Sequence, residues 1–157
     1  MHHHGYAWTG PKQRFDQERF RRPPLPEPPP AGGGPELIQR YRDAAAEFPR
    51  SELPPLETAH WLMKPRAMVR GTWEEPRKAV AWLERQLAEY APRFESTAYR
   101  DSARLTLLVA ATAERLRWGG DVSLGFYLER PTFLSLALVT CSPNHADLAL
   151  VCPAAGQ

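Results

Sequence analysis

Proline and glycine are spread so unevenly that they divide this chain before any periodicity is read. Residues 1–35 hold eight of the 17 prolines and five of the ten glycines, ending in Pro23-Pro-Leu-Pro-Glu-Pro-Pro-Pro30 and Ala31-Gly-Gly-Gly34. Proline removes a backbone donor and glycine is costly to order, so such a segment cannot build a packed core by itself. The sequence therefore predicts a disordered arm and Pro/Gly linker over residues 1–34, followed by one folded domain over 35–157. The proline run is expected to be a polyproline II spacer, with the three glycines as a swivel.

Beyond Pro35 the hydrophobic period is helical three times. Leu37, Ile38, Tyr41, Ala44, Ala45 and Phe48 share one stripe that Pro49 ends. Pro54, Pro55 and Pro65 break the next stretch, which is expected to be a loop with one helical turn. Thr72 and Glu75 fit a capping box ahead of Ala79, Val80, Leu83, Leu87, Tyr90, Ala91 and Phe94. A third helix is predicted over Thr97 to Trp118, with Gly119-Gly120 as its left-handed cap. The second and third helices should form an antiparallel pair.

After Asp121 the period changes to two. Val122, Leu124, Phe126 and Leu128 alternate with Ser123, Gly125, Tyr127 and Glu129, the pattern of a strand with one buried face. Thr132 to Cys141 is apolar on both faces, and Leu148 to Cys152 reads as a third, shorter strand. The expected fold is α+β: three helices on a C-terminal three-stranded antiparallel meander, preceded by the arm. Helices packed on Leu134, Leu136 and Leu138 would leave Phe133, Ala137, Val139 and Val151 facing outward. That face is either an interface, including one with a second copy, or is covered by the first helix or the 49–70 loop.

Charge narrows the partners. Twenty Lys and Arg against 18 Asp and Glu give a net charge of +2, and the excess sits in residues 1–35, so nucleic acid is not the expected partner. The longest apolar run is about half of the roughly 18–20 residues that cross a bilayer, and no secretory signal is recognisable, so a cytoplasmic protein without a membrane partner is expected. Lysine is confined to Lys12, Lys64 and Lys78 while arginine is abundant, a bias that matches a GC-rich coding source. Arginine and alanine abundance are therefore not read as function.

No stretch matches a catalytic, metal or nucleotide motif at convincing spacing. The sharpest chemical grouping is Cys141-Ser-Pro-Asn-His145-Ala-Asp147, in which Cys141 or Ser142 with His145 and Asp147 could form a nucleophile, base and orienting acid. Ser-Pro-Asn is also ordinary turn chemistry, and that reading is preferred. A hairpin turning near Pro143-Asn144 would hold Cys141 and Cys152 more than about 10 Å apart, so both are expected to be packing cysteines. His2, His3 and His4 read as a floppy or tag-like end, His60 as a structural histidine, and no metal or cofactor is assigned.

The arm carries the functional expectation. Tyr6, Trp8, Phe15 and Phe20 interleave with Arg21, Arg22 and other basic residues, as anchors in search of a groove. With Phe133 and Val139 on the open sheet face, they suggest a non-enzymatic adaptor acting through protein–protein contacts, with another protein or a homodimer mate as partner. The alternatives are a small enzyme or ligand binder using the Cys141–Asp147 turn, and a weak nucleic-acid binder using the basic aromatic arm.

Overall fold

The computed structural model describes residues 1–155. In chain order its regular elements are strand β1 (His2–Pro11), the single turn α1 (Lys12–Phe15), helix α2 (Pro35–Glu47), strand β2 (Gly71–Trp73), helices α3 (Pro76–Tyr90) and α4 (Ser102–Arg117), and strands β3 (Val122–Tyr127) and β4 (Thr132–Cys141). The strands form one antiparallel sheet in the order β2-β1-β4-β3.

The α+β class stands, but the disordered arm and the C-terminal meander are both corrected. The arm's first ten residues with regular structure are β1, and they pair with β4 along its whole length, from His2 opposite Cys141 to Pro11 opposite Thr132. Leu148 to Cys152 is turn and irregular backbone rather than a strand. The physical reason lies in β4. A strand apolar on both faces must be central and needs a neighbour on each edge; β3 supplies one, and β1 supplies the other. Tyr6 and Trp8 are accordingly core residues, 0% and 5% exposed.

Two layers cover the sheet. On one face α3 and α4 place Leu83, Leu87 and Leu116 against Leu134, Leu136 and Leu138. On the other, the proline-broken segment folds Trp61 and Leu62 onto Tyr6, Ala137 and Val139, and Leu53 onto Trp8 and Phe133. Phe133 and Val139 are thus buried by the chain itself, and Val151, off the sheet, is exposed. Tyr6 and Trp61 stack with ring centroids 4.5 Å apart.

The covering segment consists of 3-10 turns, at Thr58–Met63 and Arg66–Met68. Lys64 pins it down: its buried ammonium donates to the carbonyls of Phe48 (2.9 Å) and Ser51 (2.6 Å) and lies 4.1 Å above the Phe48 ring. Burial pushes the Lys64 pKa down to about 8, while the two carbonyls and the ring face favour its charged form. Farther out the arm stays attached. Arg21 donates to the carbonyls of Pro54 and Phe15, and its backbone carbonyl accepts from Leu56 N–H.

Helix ends follow local chemistry, with shifted starts. Thr72 belongs to β2 rather than to a capping box, so α3 begins with Pro76 in its first turn, where the missing N–H costs nothing. Asp101 caps α4 by accepting from Ala103 N–H at 2.8 Å. At its other end Gly119 takes φ +76°, the left-handed conformation expected of it. Helix α2 has no buried residue; Phe48, just past its end, is what anchors it.

Candidate metal centre

Strand periodicity sends residues i and i+2 to the same face, so His2 and His4 leave β1 together, on the side of Tyr6 and Trp8. Cys141 lies directly opposite His2 on β4 and so faces the same way. A fourth group arrives from the C-terminal segment. Its path is set by Asn144, whose side chain donates to the carbonyls of Leu62 and Val151 and accepts from Ala146 and Asp147 N–H. Ser142, at φ +68°, turns the chain out of β4. The segment therefore folds back instead of extending as a strand, and Cys152 returns to the end of the sheet.

The result is a cluster of two imidazoles and two thiols whose ligand atoms all lie within 4.8 Å of one another. His2 Nε2 is 3.1 Å from His4 Nε2 and 3.1 Å from Cys152 Sγ, and His4 Nε2 is 3.3 Å from Cys152 Sγ. A tetrahedral zinc site with ordinary Zn–N and Zn–S bonds has ligand-to-ligand edges of about 3.3–3.8 Å. The three edges among His2, His4 and Cys152 match that spacing to within a few tenths of an ångström, and Cys141 completes the set at up to 4.8 Å. Behind it, His4 Nδ1 lies 2.8 Å from Thr72 Oγ1; with Nε2 as ligand, Nδ1 carries the proton and donates to the hydroxyl, which fixes the ring. His3 points to the other face, where its Nδ1 meets Thr140 Oγ1 at 3.0 Å.

Electrostatics suit a cation. Burial, then the neighbouring His2 and His3, hold His4 down to about 4, so its imidazole is neutral and free to ligate near pH 7. Burial, followed by the Cys152 thiol, pushes Cys141 up to about 11. A buried thiol of that kind is a poor nucleophile, yet a bound dication displaces its proton.

The expected separation of Cys141 and Cys152 is thereby corrected, since it assumed a hairpin where the chain makes a fold-back. Cys141 and His145 share no hydrogen bond among the described residues. His145 Nε2 instead meets Asp121 Oδ2 at 2.8 Å, and Asp121 Oδ1 accepts from Thr140 N–H. Asp147 accepts from Ala149 N–H at 2.9 Å, which is turn chemistry. Of the arm residues, Tyr6 and Trp8 are buried, Phe15 and Phe20 pack half-buried around Trp8, and Arg22 pairs with Glu18. Sequence reasoning missed His2, His4 and Cys152 as a group. The available signal was the His-x-His alternation ahead of Tyr6 and Trp8.

Comparison with family models, curated proteins and solved structures gives no match for this chain. No helix among the described residues is long and apolar enough to cross a membrane.

Proposed function

We propose that this is a non-enzymatic, zinc-stapled binding protein, in which His2, His4, Cys141 and Cys152 hold one zinc ion that locks β1 and the C-terminal segment onto the end of β4. The observation that carries this reading is the convergence of the four ligand atoms within 4.8 Å, from three parts of the chain. Two thiolates and two imidazoles select a zinc-class ion over hard cations. All four positions are taken by protein, which favours a structural ion over a catalytic one with an open site. A reducing cytoplasm, where both cysteines remain thiols, suits this role. The adaptor reading keeps its place here, with the binding surface moved from a mobile arm to the folded body.

The test is elemental analysis of protein purified under reducing conditions, followed by cobalt(II) titration. One zinc per chain and the visible absorption of tetrahedral cobalt with thiolate ligands are expected. Both should be lost in Cys152→Ser and in His4→Ala. Sub-stoichiometric metal together with no thiolate–cobalt absorption on titration of the reduced protein would overturn the proposal.

A further inference from the structure

Strand β1 has two neighbours for only part of its length. On the β4 side its even-numbered residues carry the ladder, continued by Lys12 N–H to the Pro131 carbonyl. The odd-numbered residues face the other edge. His3 and Gly5 meet β2 there, opposite Trp73 and Gly71, and the Gly5 carbonyl also accepts from Arg70 N–H at 2.8 Å. The 3-10 turn at Arg66–Met68 then carries the chain away, so the outward N–H and C=O groups of Ala7 and Thr9 have no backbone partner among the described residues. Pro11, next on that edge, has no N–H and ends the template.

This open edge is the floor of a cleft of about 640 Å³. One wall carries Trp8, Trp61 and Met68 from the covering segment's side of the sheet, and the other Trp82, Gln86 and Tyr90 of α3. An added strand would send alternate side chains to these two walls, because β side chains point to opposite faces. Trp8 lines the cleft with 5% of its surface exposed, so its contribution there is apolar ring surface. Arg50 and Arg70 also line the cleft and take part in no ion pair among the described residues, whereas Glu52 is already paired with Arg14 at 3.0 Å. The uncompensated charge is positive. A second copy pairing edge to edge would bring like arginines together, which disfavours it.

We propose that the open edge of β1 at Ala7–Thr9 is a strand-addition site for an extended, acidic peptide segment of a partner protein. The backbone of Ala7 and Thr9 supplies up to four hydrogen bonds, the aromatic walls receive apolar side chains, and Arg50 and Arg70 select negative charge. The site is separate from the metal cluster, so the two assignments stand or fall independently.

The experiment pans a phage-displayed random dodecapeptide library on the full chain, with counter-selection on Thr9→Pro. This variant removes an outward N–H at an edge position where proline is tolerated. Its circular dichroism and zinc content should equal those of the parent. Enriched peptides should be net acidic with alternating apolar residues, and the synthesised peptides should slow amide hydrogen exchange at Ala7 and Thr9. Affinity should fall by about tenfold or more in Thr9→Pro and in the Arg50→Glu/Arg70→Glu double variant. No enrichment over the Thr9→Pro decoy overturns the proposal, as does binding indifferent to both variants. Dimerisation of the parent that Thr9→Pro abolishes would also overturn it, in favour of a second copy.

Discussion

The two halves of β1 share one hydrogen-bonded ladder with β4 and differ on the opposite edge. From His2 to Gly5 the strand is enclosed by β2 and by a cluster of four metal-ligating groups. From Ala7 to Thr9 it borders an aromatic cleft with its outward backbone groups unpaired. The first half is closed by side-chain chemistry, and the second is left open because a 3-10 turn replaces what would have been a longer β2. One strand thus carries a staple at one end and a template at the other, and only the staple is a stability device.

Removing the metal gives the largest expected contrast. Free zinc a thousandfold above Kd contributes about 4 kcal/mol. Chelation or Cys141→Ser should lower Tm by roughly 10 °C and speed amide exchange at His3 and Gly5 far more than at Gly10, as followed by hydrogen-exchange NMR. Equal acceleration along β1 would erase the distinction between its halves. Leu136→Ala supplies the control for a uniform effect. Leu136 lies opposite Ala7 and is fully buried against the helices, so its truncation should cost about 3 kcal/mol in urea unfolding and loosen both halves alike.

Lys64 sharpens the account of the covering segment, which closes one wall of the cleft. Its pKa in the folded protein is about 8 against an ordinary 10.5, so between those values the folded chain holds fewer protons than the unfolded one. From this group alone, stability rises with pH across the window by about 3 kcal/mol, and the penalty is complete below pH 8. Cys141, raised from 9.0 to about 11, acts in the opposite sense in metal-free protein. The informative quantity is therefore the difference in slope between the parent and Lys64→Met, each with zinc bound. The variant should show the flatter rise. The smallest effect belongs to Tyr6→Phe, which removes a buried hydroxyl that has no partner among the described residues. Thermal melts should show no loss, and a gain of up to about 1 kcal/mol.

Much of the C-terminal half was legible in the sequence. The ends of β4 at Thr132 and Cys141 agree with the expected strand, and the period-2 run from Val122 marks β3, because alternation against one helical face leaves a plain pattern. The proline-broken stretch is the loop with helical turns that three prolines dictate. The doubly apolar β4 also stands out in the sequence, but there its second neighbour is expected downstream at Leu148–Cys152. Nothing local announces that a strand pairs with residues some 130 positions away, and the adjoining Pro23–Pro30 tract masked the alternation of His2, His4, Tyr6 and Trp8. The metal cluster was illegible for the same reason. It depends on the β1–β4 register and on the fold-back stitched by Asn144, and each is a tertiary fact.

The order β2-β1-β4-β3 makes β1 wait for β4, the last strand of this sheet in chain order. His2 pairs with Cys141, so at about 5–20 residues per second β1 leaves the ribosome roughly 6–28 s before its partner exists. During that interval Tyr6 and Trp8 lack their β4 neighbours on a strand whose β4 edge is free, a state prone to association with other chains. For this fold the hazardous moment falls during biosynthesis, and its length is governed by translation speed rather than by the stability of the finished molecule.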